Sequence, residues 1–514
     1  MKKTVYLLFL LLITKVFSQN ISLDTTFGIN GYVDGLYNGE FSNTAFILPD
    51  GKVLLAGTAN ASNQFLIEKY NIDGSRDVSF GTNGSGYITN NSITNQKEYA
   101  YKIKGQQDGK ILIAGKSDVN PSLSGYYYNA LLARFQDDGT IDTSFGTNGY
   151  VKTEFGSNDD YIIDIQITTS GNIYAIGNSR ETATDYRMAK IVKYDASGNL
   201  DTTFASSGIQ TIAMAHGVVL TSIFVQNDGT ILLTGSSTDI TDNSDLLLVK
   251  LDANGSLDAS FGTNGMLLLD LGYTNEYITD FVIHNNKILA TGTVSGSSFL
   301  PHLFVARFTM NGALDTTFST DGYHIETPDA TGYNTSFGRK IRILPDGTIL
   351  ASANAIGNNN YDLFLLAFND DGTRKTNFGN NGQYLFQNTE RQDFSSDVLI
   401  QNDGKIIVTG VYTTTTNTTK RNMLVRFKDA YTLSNPVYEL QDKIELYPNP
   451  TKANIHIRTN VAIEKITIHT LSGQIVKEIT NPTNTIPTDF LSSGVYIIKV
   501  MTSKGNLVSK FIKS

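Results

Sequence analysis

Aspartates recur at regular intervals in the sequence, and they are the first residues whose type and spacing could do chemistry. Each stands in a nine-residue motif, most complete at residues 141–149 (IDTSFGTNG). Six of seven copies keep the aspartate: Asp24, Asp77, Asp142, Asp201, Asp258 and Asp315. Such carboxylates either bind calcium or accept backbone N–H bonds in Asx turns. Because the remaining copy has Lys375, and Ala205 and Ser319 replace motif glycines, we favour the structural role.

Other chemically capable residues are scattered. The histidines stand singly and show no metal-ligand spacing: His216, His284, His302, His324, His456 and His469. The acidic pairs Asp137-Asp138, Asp159-Asp160 and Asp370-Asp371 could ligate calcium, but no twelve-residue calcium loop surrounds them. The chain has no cysteine, which excludes disulfides, thiol catalysis and zinc fingers. We therefore predict no catalytic, cofactor-binding or metal residues, with calcium left open.

A repeat of about sixty residues must position these groups. The motif phenylalanines are 53, 65, 59, 57, 57 and 60 residues apart: Phe27, Phe80, Phe145, Phe204, Phe261, Phe318 and Phe378. Each repeat has four short apolar runs, here strands A to D, with A directly after the motif. A turn between B and C recurs as Asp50-Gly51, Asp108-Gly109, Ser170-Gly171, Asp228-Gly229, Asn285-Asn286, Asp346-Gly347 and Asp403-Gly404. Asp-Gly between apolar runs indicates a hairpin.

Seven units of four strands predict an all-β fold, a seven-bladed β-propeller over residues 19–428. The chain begins with a motif that no strand D precedes, and it leaves its last strand D with no motif after it. We therefore expect the first motif to complete the last blade and close the ring. The sequence does not determine which strand lies innermost.

These repeats resemble a known family. The copies of Leu-Asp-x-x-Phe-Gly-x-x-Gly, the Asp-Gly hairpins and the period resemble delta-60 repeat β-propellers of secreted bacterial proteins, over about residues 22–428. The resemblance implies a propeller in an extracellular setting. It supplies no catalytic residues.

Alternating strands would place the B–C and D–A connections on one face of the ring, here the uniform face. The A–B and C–D connections then form the variable face. Its most divergent loops are residues 118–129, 180–187, 239–245, 326–336 and 413–422. Binding residues often lie on loops that a rigid scaffold positions, although such loops also vary when nothing constrains them. We predict a ligand face that includes Tyr126, Tyr127, Tyr128 and Tyr186, because tyrosines can stack on sugar rings.

The two ends of the chain differ from the repeats. Lys2 and Lys3 precede an apolar run at residues 5–13, which predicts a signal peptide over residues 1–18. No later stretch is long and apolar enough for a transmembrane helix. The chain carries a net charge of −9, which argues against a nucleic-acid partner. We assign residues 429–442 to a linker and residues 443–514 to a small basic domain that reads as an Ig-like β-sandwich.

This last domain resembles the type A C-terminal sorting domain of type IX secretion in the Bacteroidetes. The matching residues are Tyr447, Pro448, Asn449, Pro450, Gly473, Gly494 and Tyr496. The resemblance implies recognition by the type IX secretion machinery and a sortase, then removal of the domain. The protein would be secreted or attached to the outer-membrane surface.

Together these features predict a binding or adhesion module rather than an enzyme, with a polysaccharide or a surface protein as ligand. The alternative is an extracellular polysaccharide hydrolase or lyase with carboxylates in the propeller channel. An acidic pair facing a pocket would favour the alternative, and a surface of tyrosine, asparagine and threonine would favour binding.

Overall fold

The computed structural model describes residues 21–35, 39–59, 64–90, 97–119, 127–156, 159–180, 186–214, 216–296, 299–326, 333–357, 360–388, 391–414, 420–428, 445–458, 463–470, 475–480, 483–502 and 505–514. The predicted signal peptide and linker lie outside these residues and stay predictions. The chain divides into two compact units, Met1–Thr432 and Leu433–Ser514.

The first unit begins with β1 (Ser22–Leu23) and β2 (Tyr32–Asp34), and antiparallel meanders, here called blades, follow. Blade 1 contains β3 (Gly39–Ile47), β4 (Val53–Ala59), β5 (Gln64–Tyr70) and β6 (Tyr87–Asn90), with a 3₁₀ segment at Thr82–Gly84. Blade 2 contains β7 (Glu98–Gly105), β8 (Ile111–Asp118), β9 (Tyr128–Phe135) and β10 (Tyr150–Thr153). Blade 3 contains β11 (Tyr161–Ile167), β12 (Ile173–Ser179), β13 (Met188–Tyr194) and β14 (Ile209–Ile212).

Blade 4 contains β15 (Val218–Val225), β16 (Ile231–Thr238), β17 (Ser244–Leu251) and β18 (Met266–Leu269). Blade 5 contains β19 (Asn275–His284), β20 (Lys287–Gly296), β21 (Phe299–Thr309) and β22 (Tyr323–Ile325). Blade 6 contains β23 (Thr335–Ile343), β24 (Ile349–Gly357), β25 (Asn360–Phe368) and β26 (Gln383–Phe386). Blade 7 contains β27 (Arg391–Ile400), β28 (Ile406–Thr414) and β29 (Arg421–Lys428), to which β1 and β2 pair. Four-stranded antiparallel sheets confirm the predicted all-β propeller class.

The order of strands from axis to rim follows from the contacts between blades. The first strand of each blade packs against the first strand of the next, and the set closes on itself: β3, β7, β11, β15, β19, β23 and β27. Strand B of the repeat is therefore innermost. Strand A is outermost, because it pairs only with strand D, as β10 does with β9.

The ring closes as predicted. Tyr32 in β2 pairs with Val425 in β29, so the N-terminal strand supplies the fourth strand of blade 7. An apolar core lies between each pair of neighbouring blades, and the one that joins blade 7 to blade 1 contains Phe27, Val53 and Leu424. Burial of apolar surface between blades thus continues around the ring.

The repeated motif forms a buried corner on the uniform face. Asp142 Oδ1 accepts hydrogen bonds from the Ser144 amide (3.2 Å) and hydroxyl (2.6 Å), which is an Asx turn. Its Oδ2 pairs with Arg134 Nε at 2.7 Å. Every motif aspartate has such a cation partner, in the pairs Asp24–Arg426, Asp77–Lys52, Asp142–Arg134, Asp201–Lys193, Asp258–Lys250 and Asp315–Arg307. These contacts support the structural role over calcium binding.

The copy without an aspartate reverses the charges. Lys375 Nζ pairs with Asp346 Oδ2 at 2.6 Å. The strand D position that elsewhere carries the cation is Ala367, whose carbonyl accepts the Lys375 N–H. This corner therefore keeps an ion pair, but the motif residue supplies the cation and Asp346 of the B–C turn supplies the carboxylate.

A β-bulge interrupts every innermost strand, and it shapes the channel. The register of β7 against β8 shifts between Ala100 and Lys102, which leaves Tyr101 as the extra residue. The equivalent extra residues are Asn43, Ile163, Thr221, Thr279, Arg339 and Ser396. Glycine stands opposite most bulges: a Cβ on Gly115 would lie 1.7 Å from the Tyr99 carbonyl oxygen. The bulge therefore dictates the glycine, and it redirects the side chains near the axis.

The second unit contains two sheets. Its strands are β30 (Glu445–Tyr447), β31 (Asn454–Arg458), β32 (Ile463–Thr470), β33 (Ile475–Thr480), β34 (Thr485–Pro487), β35 (Gly494–Thr502) and β36 (Gly505–Lys513). The order is β30-β31-β34 in one sheet and β33-β32-β35-β36 in the other. Ile455 and Ile486 from the first sheet share a core with Ile466 and Ile498 from the second. The Ig-like classification stays a prediction.

Candidate functional site

The predicted ligand tyrosines occupy two places on the variable face. Tyr128 begins β9, the third strand of blade 2, and Tyr127 directly precedes it and is 37% exposed. Tyr186 precedes β13 and is 49% exposed. Its ring packs edge-on against His216, with centroids 5.3 Å apart. Tyr126 lies outside the described residues.

Tyr128 belongs to a larger cluster. The Tyr128 ring packs against Tyr99 at 5.9 Å, and Lys116 Nζ lies 3.8 Å from the Tyr128 centroid. The ammonium is also 5.4 Å from the Tyr99 centroid and 6.0 Å from that of Tyr161. Cation–π attraction holds such a group together. Burial lowers the pKa of Lys116, although Asp159 favours the charged form.

Three cations of this cluster pair with the Asp159 carboxylate. This carboxylate lies 3.4 Å from Lys116 Nζ, 3.3 Å from Arg180 Nε and 3.1 Å from Arg187 Nη2. Arg187 also stacks on Tyr161, 5.1 Å from the ring centroid. Three cations against one carboxylate leave the cluster positive in an acidic protein. We call Tyr99, Tyr128, Tyr161, Lys116, Asp159, Arg180 and Arg187 the tyrosine cluster.

The cluster continues into a ring of aromatics around the mouth of the channel. Half-buried aromatic side chains occupy the same position of the innermost strand in blades 2, 3, 5, 6 and 7: Tyr99, Tyr161, Tyr277, Phe337 and Phe394. In blade 2, Tyr99 and the bulge residue Tyr101 are both half-buried, whereas Ala100 between them is buried. Because alternate residues of a strand share a side, the aromatics point the same way as the bulge residues. Those bulge residues line the channel.

Buried carboxylates precede these aromatics and fasten the loops of the variable face. Asp160 Oδ2 accepts a hydrogen bond from the Phe155 amide at 2.6 Å. Glu276 accepts from the amides of Leu271 and Tyr273. Both carboxylates are fully buried. They hold loop backbone, so they are not free to act on a ligand.

A group of three carboxylates lies where blades 4 and 5 meet. Donor oxygens of Asp245, Asp270 and Glu276 lie within 4.8 Å of one another, among the residues searched. Burial raises the pKa of Asp245, and the charges of Asp270 and Asp239 raise it further. Burial also raises the pKa of Glu276. These three carboxylates, here called the Asp245 trio, could bind a cation. Alternatively, Asp245 or Glu276 could stay protonated at a pH above the ordinary pKa of a carboxyl group.

The sequence analysis named Tyr127, Tyr128 and Tyr186, whose role as ligand residues stays a prediction, and it did not name the innermost-strand aromatics. A signal was present. An acidic residue followed by an aromatic begins this strand in Glu40-Phe41, Glu98-Tyr99, Asp160-Tyr161, Glu276-Tyr277 and Asp393-Phe394. The partners of Lys116 carried no such signal, since they come from two blades.

The predicted sorting residues lie around the last strand of the second unit. Asn449 Nδ2 donates to the Lys510 carbonyl at 3.1 Å, and Asn449 Oδ1 accepts from the Ile512 amide at 2.9 Å. Tyr447, Pro448 and Pro450 are exposed, and Gly494 begins β35. The Tyr496 ring stacks on Phe511, with centroids 5.7 Å apart. Gly473 lies outside the described residues.

Family models match both units. Residues 445–514 match a secretion system C-terminal sorting domain. Residues 48–80, 106–145, 226–261, 285–318 and 401–428 match a beta-propeller domain of unknown function, DUF5122. A comparison with curated proteins found no match. In the part of the chain that was searched, no helix has the length and apolarity to cross a membrane.

Several solved structures resemble the chain. The β-propeller domain of the Trilobed protease from Pyrococcus furiosus is 10% identical, with a TM-score of 0.39, over 82% of this chain and 98% of its own. A protein of unknown function from Dyadobacter fermentans is 10% identical, with a TM-score of 0.38, over 64% and 94%. The polysaccharide lyase Uly1 is 9% identical, with a TM-score of 0.41, over 75% and 89%. At these values the similarities carry no argument about ligand or activity.

Proposed function

We propose that this chain, a β-propeller with DUF5122-type repeats that a type IX sorting domain directs to the cell surface or the medium, binds polysaccharide through its variable face. The observation that carries the proposal is the tyrosine cluster together with the aromatic ring around the channel mouth. Aromatic faces bury the apolar faces of sugar rings.

The charge of the cluster favours acidic glycans. Lys116, Arg180 and Arg187 share one carboxylate, Asp159. The Arg180 and Arg187 side chains stay 20% and 27% exposed. A uronate carboxylate or a sulfate ester would bind them, because guanidinium groups form charge-assisted hydrogen bonds with oxyanions. The proposed ligand class is therefore an acidic polysaccharide.

Affinity gel electrophoresis tests this function. The chain would be run through gels containing alginate, polygalacturonate, chondroitin sulfate or neutral dextran. We expect retardation by an acidic polymer. One aromatic contact contributes about 1–2 kcal/mol, so Tyr99→Ala or Tyr161→Ala should weaken binding about tenfold. Tyr87→Ala, on the outermost strand of blade 1, is the matched control and should leave binding unchanged. Equal mobility in all four gels would reject the proposal.

Polysaccharide cleavage is the second candidate, and the Asp245 trio favours it. A carboxyl with a raised pKa can act as a general acid, and burial together with the charge of Asp270 raises the pKa of Asp245. If the chain cleaves glycans, product ends will accumulate with the same polymers, and Asp245→Asn will abolish them. Retardation without product ends would leave binding as the function.

A further inference from the structure

The propeller axis contains a charged layer that the polysaccharide site does not use. A cavity of about 370 Å³ lies at the level of the bulges. Its lining residues come from all seven blades: Thr44, Tyr101, Lys102, Ile163, Thr221, Thr279, Arg339, Lys340 and Ser396. The charged groups among them are all cations. No carboxylate lines this cavity in the described part of the channel.

The carboxylates nearest this layer are already paired. Lys102 Nζ lies 2.9 Å from Asp164 Oδ1. Arg342 joins Asp280 at 2.5 Å to Asp397 at 2.7 Å. Burial opposes ionisation of Asp164 and Asp280, yet their cation neighbours hold the pKa of each below its ordinary value. Each of the three carboxylates, including Asp397, therefore already has a cation partner.

The remaining cations have weaker partners. Arg339 is exposed, and its Nε donates a hydrogen bond to the Ser395 carbonyl at 3.2 Å. Lys340 Nζ is 3.8 Å from Asp280, which Arg342 already holds. Lys104 lies two residues after Lys102 in β7. Among the described residues, no carboxylate is within ion-pair distance of Lys104. Burial and the neighbouring Lys102 lower its pKa to about 8. The channel thus carries excess positive charge inside a protein of net charge −9.

Cations concentrated in a narrow, low-dielectric passage attract anions strongly. The hydroxyls of Thr221 and Thr279 cannot donate to a ligand, since they bond the carbonyls of Ile278 and Gly338 in the next blade. The donors on the cavity wall include the Arg339 guanidinium, the Lys340 ammonium and the hydroxyls of Tyr101 and Ser396. A guanidinium and an ammonium together suit a small oxyanion.

We propose that the axial cavity binds a small oxyanion between Arg339 and Lys340. Phosphate, sulfate and the carboxylate of a sugar acid share the chemistry that this site recognises. The proposal stands apart from glycan binding at the tyrosine cluster, because it needs no aromatic contact and no polymer.

Isothermal titration of the folded chain tests the anion site. Phosphate, sulfate and glucuronate would be titrated at constant ionic strength, with chloride and glucose as references, since simple screening must be held fixed. We expect saturable binding of at least one oxyanion. Arg339→Gln or Lys340→Gln should weaken it about tenfold, the value of one charge-assisted hydrogen bond. Lys250→Gln removes the same charge on the uniform face and should change nothing.

The variants also separate the sources of the anion and guard against misfolding. Binding of phosphate or sulfate alone would indicate a free inorganic ion. Binding of glucuronate, lost with Arg339→Gln, would indicate an acid group of a sugar. Arg339→Lys keeps the charge and should keep at least partial affinity. No saturable binding, or equal affinity in Arg339→Gln, Lys340→Gln and the unaltered chain, would overturn the proposal. This holds whether or not the chain is retarded in the polysaccharide gels.

Discussion

At the scale of residues, Asp393 is a buried carboxyl group whose surroundings compensate its charge poorly. It is fully buried in β27, and neither carboxylate oxygen has a hydrogen-bond partner among the described residues. Its equivalents Asp160 and Glu276 hold loop amides instead. Arg391 Nε lies 3.6 Å from Asp393, and the Arg391 guanidinium stacks between Tyr32 and Tyr412. Burial raises the pKa of Asp393 to about 6, against the attraction of Arg391.

Asp393→Asn should stabilise the protein above neutral pH. The folded pKa of Asp393 exceeds the unfolded one, so its contribution to stability is present below about pH 4 and is lost as pH rises to about 6. The loss is about 3 kcal/mol. Urea unfolding at pH 7.5 should therefore show a gain of this order in the variant, and no gain at pH 4. Asp403→Asn, at an exposed position, is the control. A variant less stable than the parent at pH 7.5 would show that Asp393 is favourably paired.

The residues of the candidate site could be predicted in part. Tyr128 stood out because three tyrosines are consecutive in a variable loop. Asp159 looked like one half of a possible calcium pair, yet the structure gives it three cation partners. Those partners come from strand ends of blades 2 and 3, and contacts between blades have no fixed spacing in the sequence. The sequence therefore indicated which types of residue would form the site, but it did not indicate which residues would be neighbours.

At the scale of elements, the bulge in each innermost strand organises the channel. In blades 2 to 7 it turns one extra side chain toward the axis, and it brings a carbonyl against the neighbouring strand. The strands, the hairpins and the ring closure were predictable from apolar runs and Asp-Gly turns. The bulges were not, since an extra residue in a strand leaves the apolar pattern almost unchanged. The sequence feature that accompanies most bulges is a glycine in strand C, opposite the bulge.

Gly235→Ala should show what the bulge requires. A Cβ at Gly235 would lie 1.9 Å from the Val219 carbonyl oxygen, so blade 4 must open or the bulge must move. We expect a loss of about 3 kcal/mol in unfolding free energy, measured by denaturant titration. Blade 6 has Ala353 at this position, opposite Gly338. Ala353→Gly is therefore the matched control, with a loss of about 1 kcal/mol. Similar small losses in both variants would mean that the bulge accommodates a methyl group.

At the scale of the whole molecule, the two faces of the propeller carry different kinds of residues. The uniform face carries ion pairs within each corner, and buried phenylalanines that pack between neighbouring blades, as Phe145 does between blades 2 and 3. The variable face carries the tyrosine cluster, the Asp245 trio and the channel mouth. This division was predictable from loop variability, whereas the radial order of strands required the contacts between blades. The second unit supplies the export signal and plays no part in this division.

Hydroxyl-radical footprinting tests the central claim most directly, since it reports which face a polysaccharide covers. The chain would be labelled with and without a pool of alginate and chondroitin sulfate. Our account predicts protection of Tyr127 and Tyr186 on the variable face. Exposed Ile29 and Val78, beside the corners of the uniform face, should be labelled equally in both samples. Protection of Ile29 and Val78 instead, or of no residue at all, would contradict polysaccharide binding through the variable face.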